Sequence, residues 1–275
     1  MSLRDAAIGI FDSGIGGLTV AREVARRLPN EHLIYLGDTA RLPYGSKSPV
    51  TVSRYAATCV DFLRREPLKA IVIACNTASA LALADLEHDL EVPLLGVIAP
   101  GARAAARTSR GGVIGVIGQE GTVRSGSYPR AIESILPSAK IVSHACPLLV
   151  PLAEEGWLTG EVPRLTLRRY LEPLACAKID TLVLGCTHYP LFKTLINDVF
   201  TKDYGMDVRL VDSAEEVTAE LCDLLTRRGR LNGGGPGRRR FFCTDAPERF
   251  AVVGRRFFGD EFTEVRQVDL NASRP

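Results

Sequence analysis

The 275-residue sequence contains no apolar stretch approaching the ~20 residues needed to cross a bilayer, which argues against a membrane-spanning protein. Nor does it carry an excess of charge: 34 Lys and Arg stand against 32 Asp and Glu, for a net charge of +2. That balance offers no general electrostatic case for nucleic acid, whose phosphates demand a basic surface. The basic residues are scattered in pairs such as Arg26-Arg27, Arg64-Arg65 and Arg168-Arg169. The triplet Arg238 to Arg240 follows NGGGPG and reads as a solvated turn. No C-x-x-C is present, and seven cysteines is an odd number for a disulfide framework, so free thiols in a reducing cytosol are expected. The opening MSLRDAAIGIF runs straight into a strand and lacks the apolar core of a signal peptide, so a cytoplasmic location is expected.

With 46% hydrophobic and 24% charged residues, the chain can bury a core of about two domains of ~100–150 residues each. Short apolar runs alternate with longer helical patterns. Strands are expected at 7–12, 33–38, 70–75, 94–98, 112–118, 140–145, 181–186, 207–212 and 240–245. Helical patterns such as LTVAREVARRL, TVSRYAATCVDFLRRE and EEVTAELCDLLTRR lie between most of them. Such alternation implies an α/β protein whose mainly parallel sheets are covered by helices on both faces. Ligands of open parallel sheets bind beyond the carboxyl ends of the strands, where Asp12, Asp38, Cys75, Gly118 and Cys186 all fall.

Two of the cysteines occupy matching places. Cys75 closes the run AIVIAC and Cys186 closes TLVLGC. Each is followed by Asn or Thr and an expected helix. Unpaired N–H groups and the positive dipole end at a helix N-terminus favour a thiolate. Two such units with no metal-type spacing suggest a pair of proton-transfer bases. Cys59, Cys176 and Cys222 fall in helical patterns, Cys146 precedes Pro147, and Cys243 lies in a strand-like run. These five read as small buried hydrophobes. Cys186-x-His188 is the only hint of a metal site, and further ligands at suitable spacing are missing, so no metal is expected.

The texture changes near residue 97, where GVIAPGARAAARTSRGG resets the pattern. GVIGVIGQEGTV then restates the opening strand, polar turn and helix, and CTHYP restates CNTAS. This weak internal repeat suggests two similar lobes facing each other across a cleft. RRGRLNGGGPGRRR (227–240) reads as a flexible loop before a last strand and helix. The turn DSGIGGLT, with Asp38 further on, imitates a dinucleotide fingerprint. However, Thr19 stands where the third glycine belongs, and Asp12 would face a pyrophosphate.

FDSGIGGLTV (11–20), GDTARLPYG (37–45), ACNTAS (74–79), GVIAPGARAA (96–105), CPLLVPLAEEG (146–156) and GCTHYP (185–190) together closely resemble glutamate racemase, over about residues 7 to 258. The resemblance implies two pseudo-symmetric α/β lobes, 1–97 plus 210–275 and 98–209, with the site in the cleft between them. It implies interconversion of L- and D-glutamate without pyridoxal phosphate, metal or nucleotide, supplying D-glutamate for peptidoglycan. The small-molecule partner would be glutamate, with no nucleic acid or membrane partner and a homodimer left open.

Carried over by position, Cys75 would act on D-glutamate and Cys186 on L-glutamate. Asp12, His188 and Glu154 would assist. Ser13, Tyr44, Gly45, Asn76, Thr77 and Thr187 would surround the substrate, with Thr122 a secondary candidate. Alternatives remain for several of these. Asp12 or Ser13 could cap the helix from Gly17, His188 could be a turn residue, and Glu155 competes with Glu154 for the inward position. Two other functions stay open: a sister racemase of aspartate or another small acid, and a regulatory binding protein on the same scaffold, such as an inhibitor of a DNA topoisomerase.

Overall fold

A computed structural model describes residues 3–88, 90–262 and 264–270. From the N-terminus the elements are β1 (Ala7–Asp12), α1 (Leu18–Arg27), β2 (Leu33–Gly37), α2 (Pro49–Leu63), β3 (Leu68–Ile73), α3 (Asn76–Glu87), β4 (Leu94–Gly96) and α4 (Ile98–Thr108). There follow β5 (Val113–Gly118), α5 (Glu120–Ser125), α6 (Ser127–Glu133), β6 (Lys140–Ala145), α7 (Leu149–Glu155), α8 (Glu161–Cys176) and β7 (Thr181–Gly185). The chain then runs through a short 3₁₀ turn (Tyr189–Phe192), α9 (Lys193–Asp198), β8 (Arg209–Asp212), α10 (Ser213–Arg227), β9 (Arg239–Cys243), α11 (Pro247–Phe258) and β10 (Val265–Gln267).

The strands form two separate parallel sheets, ordered β10-β9-β2-β1-β3-β4 and β6-β5-β7-β8. Every residue of β1, β3 and β7 is buried, as expected of strands with helices on both faces. Ile10 and Ile71 lose all contact with solvent, and cutting either to Ala would cost about 2–5 kcal/mol. The strand expectations therefore hold in type and order. β10, a three-residue edge strand, was not anticipated, because it is too short to carry an alternation.

Two boundaries differ from expectation. Residues 98–108, taken as a break in pattern, form α4. Its Ala-rich stretch has high helix propensity, and past Ile98 and Pro100 its buried face is made of small residues, Gly101, Ala102, Ala104 and Ala105, which conceal the usual period. The return to the first sheet does not come at 210. β8 pairs with β7 through Asp212, and the first sheet is rejoined only at β9. After α10, residues 228–238 are irregular but tethered. Glu31 accepts from the Asn232 N–H at 2.8 Å, and Lys69 Nζ donates to the Arg230 carbonyl at 3.0 Å. Lys69 and Glu31 are themselves a buried ion pair.

Candidate active site

One small cavity lies between the carboxyl ends of the two sheets. It is lined by Ser13, Tyr44, Gly45, Cys75, Asn76, Thr77, Thr122, Glu154, Cys186, Thr187 and His188. Asp12 stands behind this wall. The lining also includes residues the sequence reading missed: Leu42, Pro43, Gln119 and Val150. Gln119 had a signal, since it is the first residue past the end of β5. The apolar lining residues had none.

Cys75 is the residue from which α3 springs, and its Sγ accepts the Ala78 N–H at 3.4 Å. Ser13 Oγ lies 3.5 Å from the same sulfur. Burial, reinforced by the negative charge of Asp12, pushes the Cys75 thiol up to about 12 despite these contacts. Asp12 is buried, and its carboxylate accepts the Gly14 N–H at 2.9 Å. It does not cap α1, which begins after Gly17 with no side-chain cap. Burial raises the Asp12 pKa, opposed by the charge of His188 and by nearby backbone N–H groups.

Cys186 is held differently. No helix follows it directly, contrary to the expectation of matched units; the chain turns through Thr187 and His188 before the 3₁₀ turn begins at Tyr189. Proline is best accommodated in a helix's first turn, and Pro190 falls there when the helix starts at Tyr189. In place of helix N–H groups, Cys186 has His188, with Sγ and Nδ1 3.9 Å apart. His188 Nε2 lies 3.2 Å from Glu154 Oε1. Burial alone would lower the imidazole pKa, but hydrogen bonds and charge from Cys186 and Glu154 outweigh it and push it up to about 10. Glu154 falls below the usual carboxylate range: its burial is outweighed by His188 and Arg249. Of the adjacent pair, Glu154 faces inward and Glu155 is exposed.

Contacts between the lobes shape the cavity. Thr77 and Thr122 hydroxyls meet at 3.0 Å, and Thr19 Oγ1 donates to the Thr187 carbonyl at 3.0 Å. A side chain at Gly16 would collide with Thr187 and His188 of the other lobe. The glycine-rich turn is thus filled by protein where a dinucleotide would need its pyrophosphate. The acidic residue of that supposed fingerprint is also engaged: Asp38 accepts from Tyr44 Oη at 2.5 Å, Arg41 Nε at 3.0 Å and Thr244 Oγ1 at 3.1 Å. Tyr44 therefore borders the cavity with its hydroxyl proton already committed.

The arrangement sets two thiols, one from each sheet, beside a single small cavity with hydroxyl and amide donors between them. Among the described residues, no helix is long and apolar enough to cross a membrane.

Residues 13–221 match the family model for Asp/Glu/hydantoin racemases. The chain is 52% identical over 270 residues to a glutamate racemase of Geobacter metallireducens, covering 98% of each chain. In structure it is similar to a glutamate racemase isoform of Bacillus anthracis, with a TM-score of 0.93 and 41% identity over 98% of this chain and 100% of that one. It is also similar to the Francisella tularensis glutamate racemase solved with D-glutamate, with a TM-score of 0.90 and 36% identity over 98% and 99% of the two chains.

Proposed function

The chain belongs to the Asp/Glu/hydantoin racemase family and, within it, to the glutamate racemases, and from that premise we propose that it interconverts L- and D-glutamate by a two-base mechanism using Cys75 and Cys186. The observation that carries this reading is the pair of thiols on the wall of one cavity, each with its own side-chain hydrogen-bond partner.

Inverting Cα requires a proton to leave from one face and another to arrive on the opposite face. For L-glutamate, a Cys186 thiolate beside a His188 imidazolium takes the proton and becomes a thiol. The electron pair left on Cα spreads into the α-carboxylate, and the Cys75 thiol then delivers a proton from the other side. The two sulfurs end with their protonation states exchanged, ready to run the reaction from D-glutamate. The raised Cys75 pKa suits this resting state, since it keeps that thiol protonated near neutral pH.

Positioned acid and base contribute only ~10²–10⁴-fold. The rest falls to donors aimed at the developing carboxylate charge in a water-poor cavity, with Asn76, Thr77 and Thr187 placed for it. Ser13, the Tyr44–Gly45 turn and Thr122 complete the enclosure. Asp12 supports the Cys75 side and His188 with Glu154 the Cys186 side. D-Glutamate made in the cytoplasm would then enter peptidoglycan.

The test is incubation of L-glutamate and, separately, L-aspartate in heavy water, following Cα exchange and optical rotation together. Cofactor-free racemisation of glutamate that survives a chelator is expected. A requirement for pyridoxal phosphate would overturn the mechanism. Faster turnover of aspartate would move the protein to a sister activity, and binding without turnover would make it a regulatory protein.

A further inference from the structure

Asn76 follows Cys75 on the cavity wall, and its Nδ2 is buried with no hydrogen-bond partner among the described residues. A buried donor left unpaired costs about 1–3 kcal/mol, so the orphan invites a ligand. Its orientation is set from the other lobe. Tyr128, in α6, is almost fully buried and donates its hydroxyl to Asn76 Oδ1 at 2.8 Å. With Oδ1 so engaged, the amide must present its NH₂ elsewhere. Burial holds the Tyr128 phenol well above its ordinary pKa, so the hydroxyl remains a donor at any working pH. The ring is itself confined, because a Cβ at Gly185, the residue before Cys186, would lie 3.1 Å from Tyr128 Cε2.

We infer that Tyr128 is a positioning residue that locks the Asn76 amide with Nδ2–H facing the cavity, where it receives the α-carboxylate of the amino-acid substrate. This rests on the racemase reading above. The α-carboxylate is the group assigned because Asn76 adjoins Cys75 in sequence, and the carboxylate one bond from the reacting carbon is the one nearest the thiols. As the Cα–H bond breaks and its proton passes to sulfur, the electron pair moves onto that carboxylate's oxygens. A donor fixed there strengthens in the transition state. Since Tyr128 and Asn76 belong to different lobes, the donor is aligned only when the lobes are together.

Deleting an oxyanion donor costs ~10²–10³-fold in kcat, and freeing one to rotate costs less, so Tyr128→Phe should lower kcat by about tenfold with little change in KM. Asn76→Leu should lower it at least as far. The double variant should be no worse than Asn76→Leu alone, because Tyr128 acts through Asn76. The native protein should bind glutamate in strong preference to glutamate bearing an α-carboxamide. In Tyr128→Phe that preference should shrink, since a freed amide can turn its oxygen toward the carboxamide. A merely loosened pocket would weaken both ligands alike.

Native kcat and selectivity in Tyr128→Phe would overturn the inference, as would additive losses in the double variant. Should Tyr128→Phe not fold, Asn76→Leu with unchanged kcat would overturn it as well. A native protein that fails to turn over glutamate would instead overturn the racemase reading.

Discussion

Around Cys75 the neighbours are backbone and hydroxyl: a helix N–H, Ser13 Oγ and, deeper, the Asp12 carboxylate. Around Cys186 they are side chains in series: His188, then Glu154, then Arg249, whose Nη2 lies 3.5 Å from Glu154 Oε2. Both cysteines lie just past the carboxyl ends of buried parallel strands. Yet on one side a negative charge disfavours the Cys75 thiolate, and on the other a strongly basic imidazole stands beside the sulfur. A pseudo-symmetric scaffold thus carries an asymmetric pair. That asymmetry would suit the proposed two-base reaction, in which the thiols begin each turnover in opposite protonation states.

The largest expected effect is loss of either thiol. Cys75→Ala and Cys186→Ala should each lower racemisation by at least ~10²–10⁴-fold, read by circular dichroism, while substitution of the other five cysteines should spare it. The comparison sharpens if each variant still exchanges the Cα proton of one enantiomer in heavy water, L-glutamate for Cys75→Ala and D-glutamate for Cys186→Ala. Near-normal activity in either variant would end the two-base proposal.

A smaller loss, near the lower end of that range, is expected for the supporting residues. The enantiomers have equal free energies, so kcat/KM must stay equal in the two directions. Asymmetry can show only in kcat and KM separately or in isotope effects. With Cα-deuterated substrates, His188→Asn should raise the isotope effect on L-glutamate and Asp12→Asn on D-glutamate. If each changes both directions alike, the one-residue-per-wall assignment is wrong.

Thiol labelling compares the walls directly. With iodoacetamide between about pH 6 and pH 9, Cys75 should lag behind Cys186, because burial and Asp12 hold the Cys75 thiol protonated and thiolate is the reactive form. His188→Asn should narrow the gap, as measured by mass spectrometry of the labelled peptides.

The His188–Glu154 pair should also leave a mark on stability. The folded His188 pKa of about 10 lies above its ordinary 6.5, so its contribution is full below 6.5 and lost as pH rises through 10. Glu154 is lowered from 4.5, so its contribution is full above 4.5 and lost as pH falls. The difference in Tm between the native protein and Glu154→Gln should therefore be widest between these limits and fade on either side. A difference independent of pH would break the pairing. Arg249→Ala should do least, a few-fold in kcat at most, because an ion pair to an exposed arginine is worth only about 0–1 kcal/mol.

Much of this arrangement could be read from residue order. β1, β3, β5 and β7 announce themselves as apolar runs, and the strand-end rule then collects Asp12, Cys75 and Cys186 at one edge of the fold. α4 escaped because most of its buried face is alanine and glycine, which leave little contrast. The boundary near 210 was misplaced because β8 reads the same whichever sheet receives it. Tyr128 was passed over for another reason: its significance lies in what it touches, Asn76 at 2.8 Å, far away in sequence.

The sequence by itself determined the alternation of strands and helices, the residues at the strand ends and the identity of the two thiols, because these depend on local periodicity and on groups a few residues apart. Only the tertiary structure decided how the thiols differ. Asp12 reaches Cys75 from the neighbouring strand, Glu154 reaches His188 from α7, and Tyr128 reaches Asn76 from another lobe. Protonation and donor direction are set by burial and by charges within a few ångströms, and those neighbours are brought together only by packing.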